Sequence, residues 1–67
     1  MKKVYVGCDC AAFTLKEAAK KVFAEQGYEV VDLGINTADD NTAYPEVAKR
    51  VCKAIIADDY KAEGALF

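Results

Sequence analysis

Two hydrophobic periods alternate along this chain of 67 residues. Lys3-Val4-Tyr5-Val6-Gly7-Cys8 is a short apolar run stopped by Asp9. It predicts a strand buried on both faces, as strands of parallel sheets are. A helical period follows, with Leu15, Ala18, Ala19, Val22 and Phe23 spaced to form one inward stripe. Glu17 then faces Lys20 and Lys21 on the wet side. Thr14 and Glu17 have capping-box spacing, while Asp9 offers an earlier start for the same helix. Gly27 ends it. Tyr28 to Leu33 reads as a second strand closed by Gly34, and the polar run from Asn36 to Ala43 reads as a loop. Pro45 suits the first turn of a second helix, with Val47, Ala48, Val51, Cys52 and Ile55 on its buried side. Asp58 to Gly64 makes the next turn, and Ala65-Leu66-Phe67 begins a third apolar run.

The order β-α-β-α-β predicts an α/β fold, a three-layer Rossmann-like parallel sheet with right-handed crossovers. A third strand of three residues is short against the usual five or six. We therefore expect residues 1–67 to be the N-terminal part of a single α/β domain, truncated at that strand. Such a piece should be marginally stable alone or associate with a partner.

Composition narrows the classes. The chain is 54% apolar and 30% charged, a globular balance. Nine basic and eleven acidic side chains leave a net charge of −2 and no basic patch, which argues against nucleic acid. Lys16, Lys20, Lys21, Lys49 and Lys53 fall at helical spacing and read as solvated faces. No run approaches the roughly 20 apolar residues that span a bilayer, and the first apolar run is too short for a signal peptide. A cytoplasmic location with no membrane partner is expected, and the three cysteines then read as free thiols.

Ligands of open parallel sheets bind at the carboxyl ends of the strands. The first such end is Gly7-Cys8-Asp9-Cys10-Ala11-Ala12, leading straight into a helix whose free N–H groups favour an anion. Asp9 either caps that helix or meets a ligand. The turn has one glycine where a dinucleotide fingerprint needs three, and no P-loop pattern is present. Cys8 and Cys10 could chelate a soft metal only with further ligands, and the chain has no histidine. Cys8 and Cys52 read instead as small core residues, whereas Cys10 sits at a helix N-terminus, where thiols are more reactive. Tyr44, beside Pro45, falls on the same rim as Asp9, either as a packing residue or as a ligand contact.

These residues carry a resemblance. Gly7 to Lys16 (G-C-D-C-A-A-F-T-L-K) resembles the G-[SC]-D-H-A-G-[YF]-x-L-K opening of the type B ribose-5-phosphate isomerases and the related galactose-6-phosphate isomerases. Gly27 to Gly34 (G-Y-E-V-V-D-L-G) is similar to that family's second strand, and Ala43-Tyr44-Pro45 to its D-Y-P. The similarity runs along the whole chain without a gap. It implies an aldose–ketose isomerase of sugar phosphates, working through an enediolate without metal or other cofactor, and a homo-oligomer, as in the family's dimers. It further implies substrate-binding positions at Asp9, which matches the aspartate at the sugar hydroxyls or ring oxygen, and at Tyr44, which matches the rim tyrosine. Cys10 stands where the family has a phosphate-contacting histidine, Ala12 replaces a glycine, and Ala43 replaces an aspartate. The family's catalytic base follows the third strand, so no catalytic residue is expected in this segment. The alternative reading is a non-catalytic α/β module that binds a small anion or pairs through an open sheet edge. A thiol-based metal or redox site at Cys8 and Cys10 is the third.

Overall fold

A computed structural model of the chain describes residues 2–35 and 43–67. The chain runs β1 (Lys3–Gly7), one 3-10 turn (Cys10–Ala12), α1 (Phe13–Glu25), β2 (Glu29–Asp32), α2 (Tyr44–Ala57) and β3 (Glu63–Leu66). This is the α/β alternation that the sequence implies. The polar run at 36–42 lies outside the described residues.

The three strands are parallel in the order β2-β1-β3, so the first strand is the central one. Val4 pairs with Val30 and Val6 with Asp32 on one side, and Tyr5 pairs with Gly64 and Gly7 with Leu66 on the other. Alternate residues of β1 then meet different helices. Lys16 of α1 reaches Asp32, which shares a face with Val4 and Val6. Gly7 and Gly64 instead face Val47, Val51 and Ile55 of α2. The helices therefore cover opposite faces of the sheet, and Val4 and Val6 are shut from solvent between them.

Glycine at position 7 is a packing requirement. A Cβ there would lie 2.6 Å from Val47 Cγ1, so α2 can sit on the central strand only because this residue has no side chain. Helix α1 ends as expected at Gly27, with the Tyr28 N–H returning to the Phe23 carbonyl at 3.0 Å. Its start is the earlier of the two options. The Asp9 carboxylate accepts from the Ala12 N–H at 3.0 Å and caps the 3-10 turn, so Thr14 is not the cap. Pro45 lies in the first turn of α2, and β3 begins at Glu63, two residues before the predicted apolar run.

Several side-chain placements differ from the sequence pattern. Of the expected stripe, Leu15 and Val22 are more than half exposed (58% and 55%) and Ala18 is exposed too, while Ala19 and Phe23 are partly buried and are joined on the inward side by Phe13 and Lys16. Apolar residues at neighbouring positions of α1 support two stripes, and the contact of Lys16 with Asp32 selects the less apolar one. Lys16 is consequently not on a solvated face but fully buried. Cys52 is exposed rather than in the core. Gly7 and Gly64 receive Val47, Val51 and Ile55, and that row turns Cys52 aside.

Candidate functional site

The carboxyl end of β1 is where the two crossovers part, one leading to each face. Open α/β sheets leave a crevice at such a point. Here the backbone closes tightly beneath it. The Cys8 N–H donates to the Gly34 carbonyl at 2.9 Å, and the Phe67 N–H to the Gly7 carbonyl at 2.9 Å. The Asp9 N–H points at the Phe67 carbonyl at 3.4 Å. Cys8, Ile35 and Val47 form a buried cluster under the rim, with Ala12, Phe13 and Phe67 packed against it. The turn is thus held from the ends of both flanking strands.

Asp9 and Cys10 emerge from this floor. Asp9 is half-buried and committed through one carboxylate oxygen to the Ala12 N–H. Capping and ligand contact are compatible, because a carboxylate has about four lone-pair positions and this bond uses one. Cys10 is exposed. Tyr44 opens α2 one turn before Val47, whose side chain belongs to the cluster beneath the rim. The fold therefore brings the N-termini of both helical segments, with Asp9, Cys10 and Tyr44, to one end of the central strand. Among the described residues no hydrogen bond joins Tyr44 to Asp9 or Cys10.

Two cationic groups near this end escaped the sequence reading. Arg50 donates to the Leu33 carbonyl at 3.2 Å, with its guanidinium beside Gly34. Gly34 has φ +121°, a left-handed geometry that suits glycine. Lys16, fully buried, holds both oxygens of Asp32, at 2.9 and 2.7 Å, and also donates to the Ile35 carbonyl. Lys20 binds the same carboxylate at 2.7 Å and Glu17 at 2.9 Å, and the Gly34 N–H donates to Asp32 at 2.9 Å. Burial pushes the Asp32 carboxyl up, but the bonds from Lys16, Lys20 and Gly34 outweigh it and hold the group below its ordinary range. The bonds to Asp32 and then Glu17 raise Lys20. The charge at Asp32 could have hinted at a partner for Lys16, but nothing in the spacing links two residues 16 apart.

A groove of about 380 Å³ runs along the flank of β2, lined by Glu17, Lys20, Lys21, Ala24, Tyr28, Val30 and Asp32. It is open to solvent and includes none of Asp9, Cys10 or Tyr44. Its Lys20 is already neutralised by Asp32 and Glu17, so we do not read it as the ligand site. Among the described residues no three His, Cys, Asp or Glu side chains gather as a metal site, and no helix is long and apolar enough to cross a membrane.

A parallel α/β domain with its free rim at the end of the central strand is the class these features define. The chain belongs to the ribose/galactose isomerase family, whose model matches residues 4–66. It is similar to ribose-5-phosphate isomerase B of Escherichia coli (strain K12), 38% identical over 55 residues, which are 82% of this chain and 36% of that protein. Among solved structures, the Thermotoga maritima ribose 5-phosphate isomerase is 34% identical with a TM-score of 0.85, the alignment covering 97% of this chain and 43% of that one. The Mycoplasma genitalium ribose-5-phosphate isomerase B, solved with bound ribulose-5-phosphate, is 30% identical with a TM-score of 0.86 over 96% of this chain and 42% of that one. The chain thus spans less than half the length of these relatives.

Proposed function

We propose that this chain is the N-terminal, substrate-facing part of an aldose–ketose isomerase acting on a five- or six-carbon sugar phosphate. The observation that carries the reading is the placement of Asp9, Cys10 and Tyr44 on one rim of a chain that matches the family from residue 4 to residue 66. Asp9 suits a hydrogen-bond acceptor for a sugar hydroxyl, since its capping bond leaves acceptor capacity free. Tyr44, exposed at the start of α2, would line the substrate's path. The Mycoplasma relative's bound ribulose-5-phosphate supports this substrate class.

Isomerisation through an enediolate needs a base next to the carbonyl and donors for the developing oxyanion. We assign no residue of this segment to either task, and no cofactor. Asp9 would hold and orient the sugar. Cys10, a weak donor where imidazolium would give a charge-assisted bond, would grip a phosphate less well than the family's histidine. The reading carries with it a cytoplasmic location and assembly with a second copy.

The test is titration of the isotopically labelled chain with ribulose 5-phosphate, followed by amide shifts. Movement confined to residues 8–12 and 43–46, abolished by Asp9→Ala, supports the assignment. Shifts centred on the groove at Lys20, Lys21 and Tyr28, or none at millimolar sugar phosphate, refute it.

A further inference from the structure

We propose that Lys16 is a positioning residue for the rim: paired with Asp32, it clamps the Gly34–Ile35 backbone against Cys8 and so fixes the turn that presents Asp9. The proposal rests on the reading of that turn as the sugar-phosphate face.

An ammonium group has three protons, and Lys16 spends them on the two oxygens of Asp32 and the Ile35 carbonyl. Asp32 is filled in turn by Lys20 and the Gly34 N–H. No buried side-chain polar atom is left without a partner among the described residues. The clamp then hands its geometry on. The Gly34 carbonyl takes the Cys8 N–H, Ile35 packs on Cys8 and Val47, and Asp9 follows Cys8 directly. The stem of Lys16 also runs past Phe13, with the ammonium 5.1 Å from the ring centroid, so the first turn of α1 is tied to the same point. Three segments that border the rim are thereby pinned by one charge.

Stability alone does not account for a lysine at this position. A buried ion pair recovers little beyond its desolvation cost, and an apolar residue of similar volume serves a core as well or better. What the lysine adds is direction, because only a donor can hold a carbonyl and a carboxylate in fixed orientation. A methionine would fill the space and let the 34–35 backbone drift.

The experiment compares Lys16→Met and Asp32→Asn with Val51→Ala, a core truncation on the opposite face of the sheet. The 67-residue chain is used throughout, with urea concentrations chosen to equalise global stability. Exchange of the Cys8 amide and the amide shifts of Asp9 to Ala12 report the turn, and ribulose 5-phosphate titration reports binding. We expect Cys8 to exchange at least tenfold faster in both clamp variants than in the control. The Asp9–Ala12 shifts should move only in the clamp variants, and their ribulose 5-phosphate Kd should rise at least tenfold. Exchange, shifts and Kd equal to those of Val51→Ala would overturn the proposal. Should Lys16→Met fail to fold, Asp32→Asn, which keeps the side-chain volume, decides the comparison. Should the unmodified chain not bind the sugar phosphate, the functional reading fails while exchange and shifts still decide whether Lys16 positions the turn.

Discussion

Replacing Gly7 by alanine probes how closely α2 is seated on the central strand. The new Cβ would lie 2.6 Å from Val47 Cγ1, 3.2 Å from Val51 Cγ2 and 3.3 Å from Leu66 Cδ2. Carbon atoms pack best at about 3.5–4.0 Å, so the Val47 methyl has to retreat by about 1 Å. Val47 is fully buried, and a valine in a helix keeps essentially one χ1 rotamer. The retreat therefore falls on the helix backbone. Overpacking of this kind costs about 1–3 kcal/mol, out of a total that ordinary domains hold near 0.05–0.15 kcal/mol per residue, or about 3–10 kcal/mol for this length. Val47→Ala alone removes two buried carbons, worth about 2 kcal/mol with the cavity included. In the double variant the alanine methyl occupies part of that cavity. Its cost should fall short of the sum of the single costs by about 1 kcal/mol or more. Urea unfolding followed by far-ultraviolet circular dichroism measures all four corners of the cycle. A Gly7→Ala chain within about 0.3 kcal/mol of the parent, or costs additive to within about 0.5 kcal/mol, would show that α2 does not rest on Gly7.

Acid should unfold the chain partly through Asp32. Its folded-state pKa lies below the unfolded value of about 3.9, so its stabilisation is complete above that value and is lost as pH falls through the lower folded one; Asp32→Asn should flatten the loss of stability below about pH 5, and an unchanged acid profile would contradict the ion pair. A small maleimide should modify Cys10 and Cys52 quickly and Cys8 only after local opening, with peptide masses reporting the order; a fast Cys8 would mean the floor of the rim is not closed. Tyr60 holds a left-handed backbone (φ 59°) and is 71% exposed, so Tyr60→Gly should raise stability by about 1 kcal/mol in urea, and a loss would argue against that conformation.

Much of this architecture could be read before any coordinates. Val4 and Val6 belong to a run with no polar face, which fits a central parallel strand, and Gly27 and Pro45 mark helix boundaries through backbone restrictions that no tertiary contact overrides. The placement of Asp9, Cys10 and Tyr44 on one rim follows from the same logic, since each lies at the start of the helical segment that follows a strand, Tyr44 after a long connection, and parallel strands share a carboxyl end. Helix rotation was less legible. Leu15 and Phe13 are both apolar, and so are Val22 and Phe23, so the pattern of α1 allows two faces about a third of a turn apart. What decides between them is Lys16, which the pattern assigns to water because a lone ammonium in a core would be prohibitively costly. Its partner Asp32 lies beyond a complete helix and on another strand, and only the parallel register of β2 beside β1 brings the two together. The same limit applies to Cys52, whose exposure depends on where Gly7 and Gly64 let α2 settle. Local rules therefore reach the rim, whereas the clamp beneath it exists only once the sheet has formed. That dependence on long-range pairing is why a charged residue of α1 ends up as its most buried one.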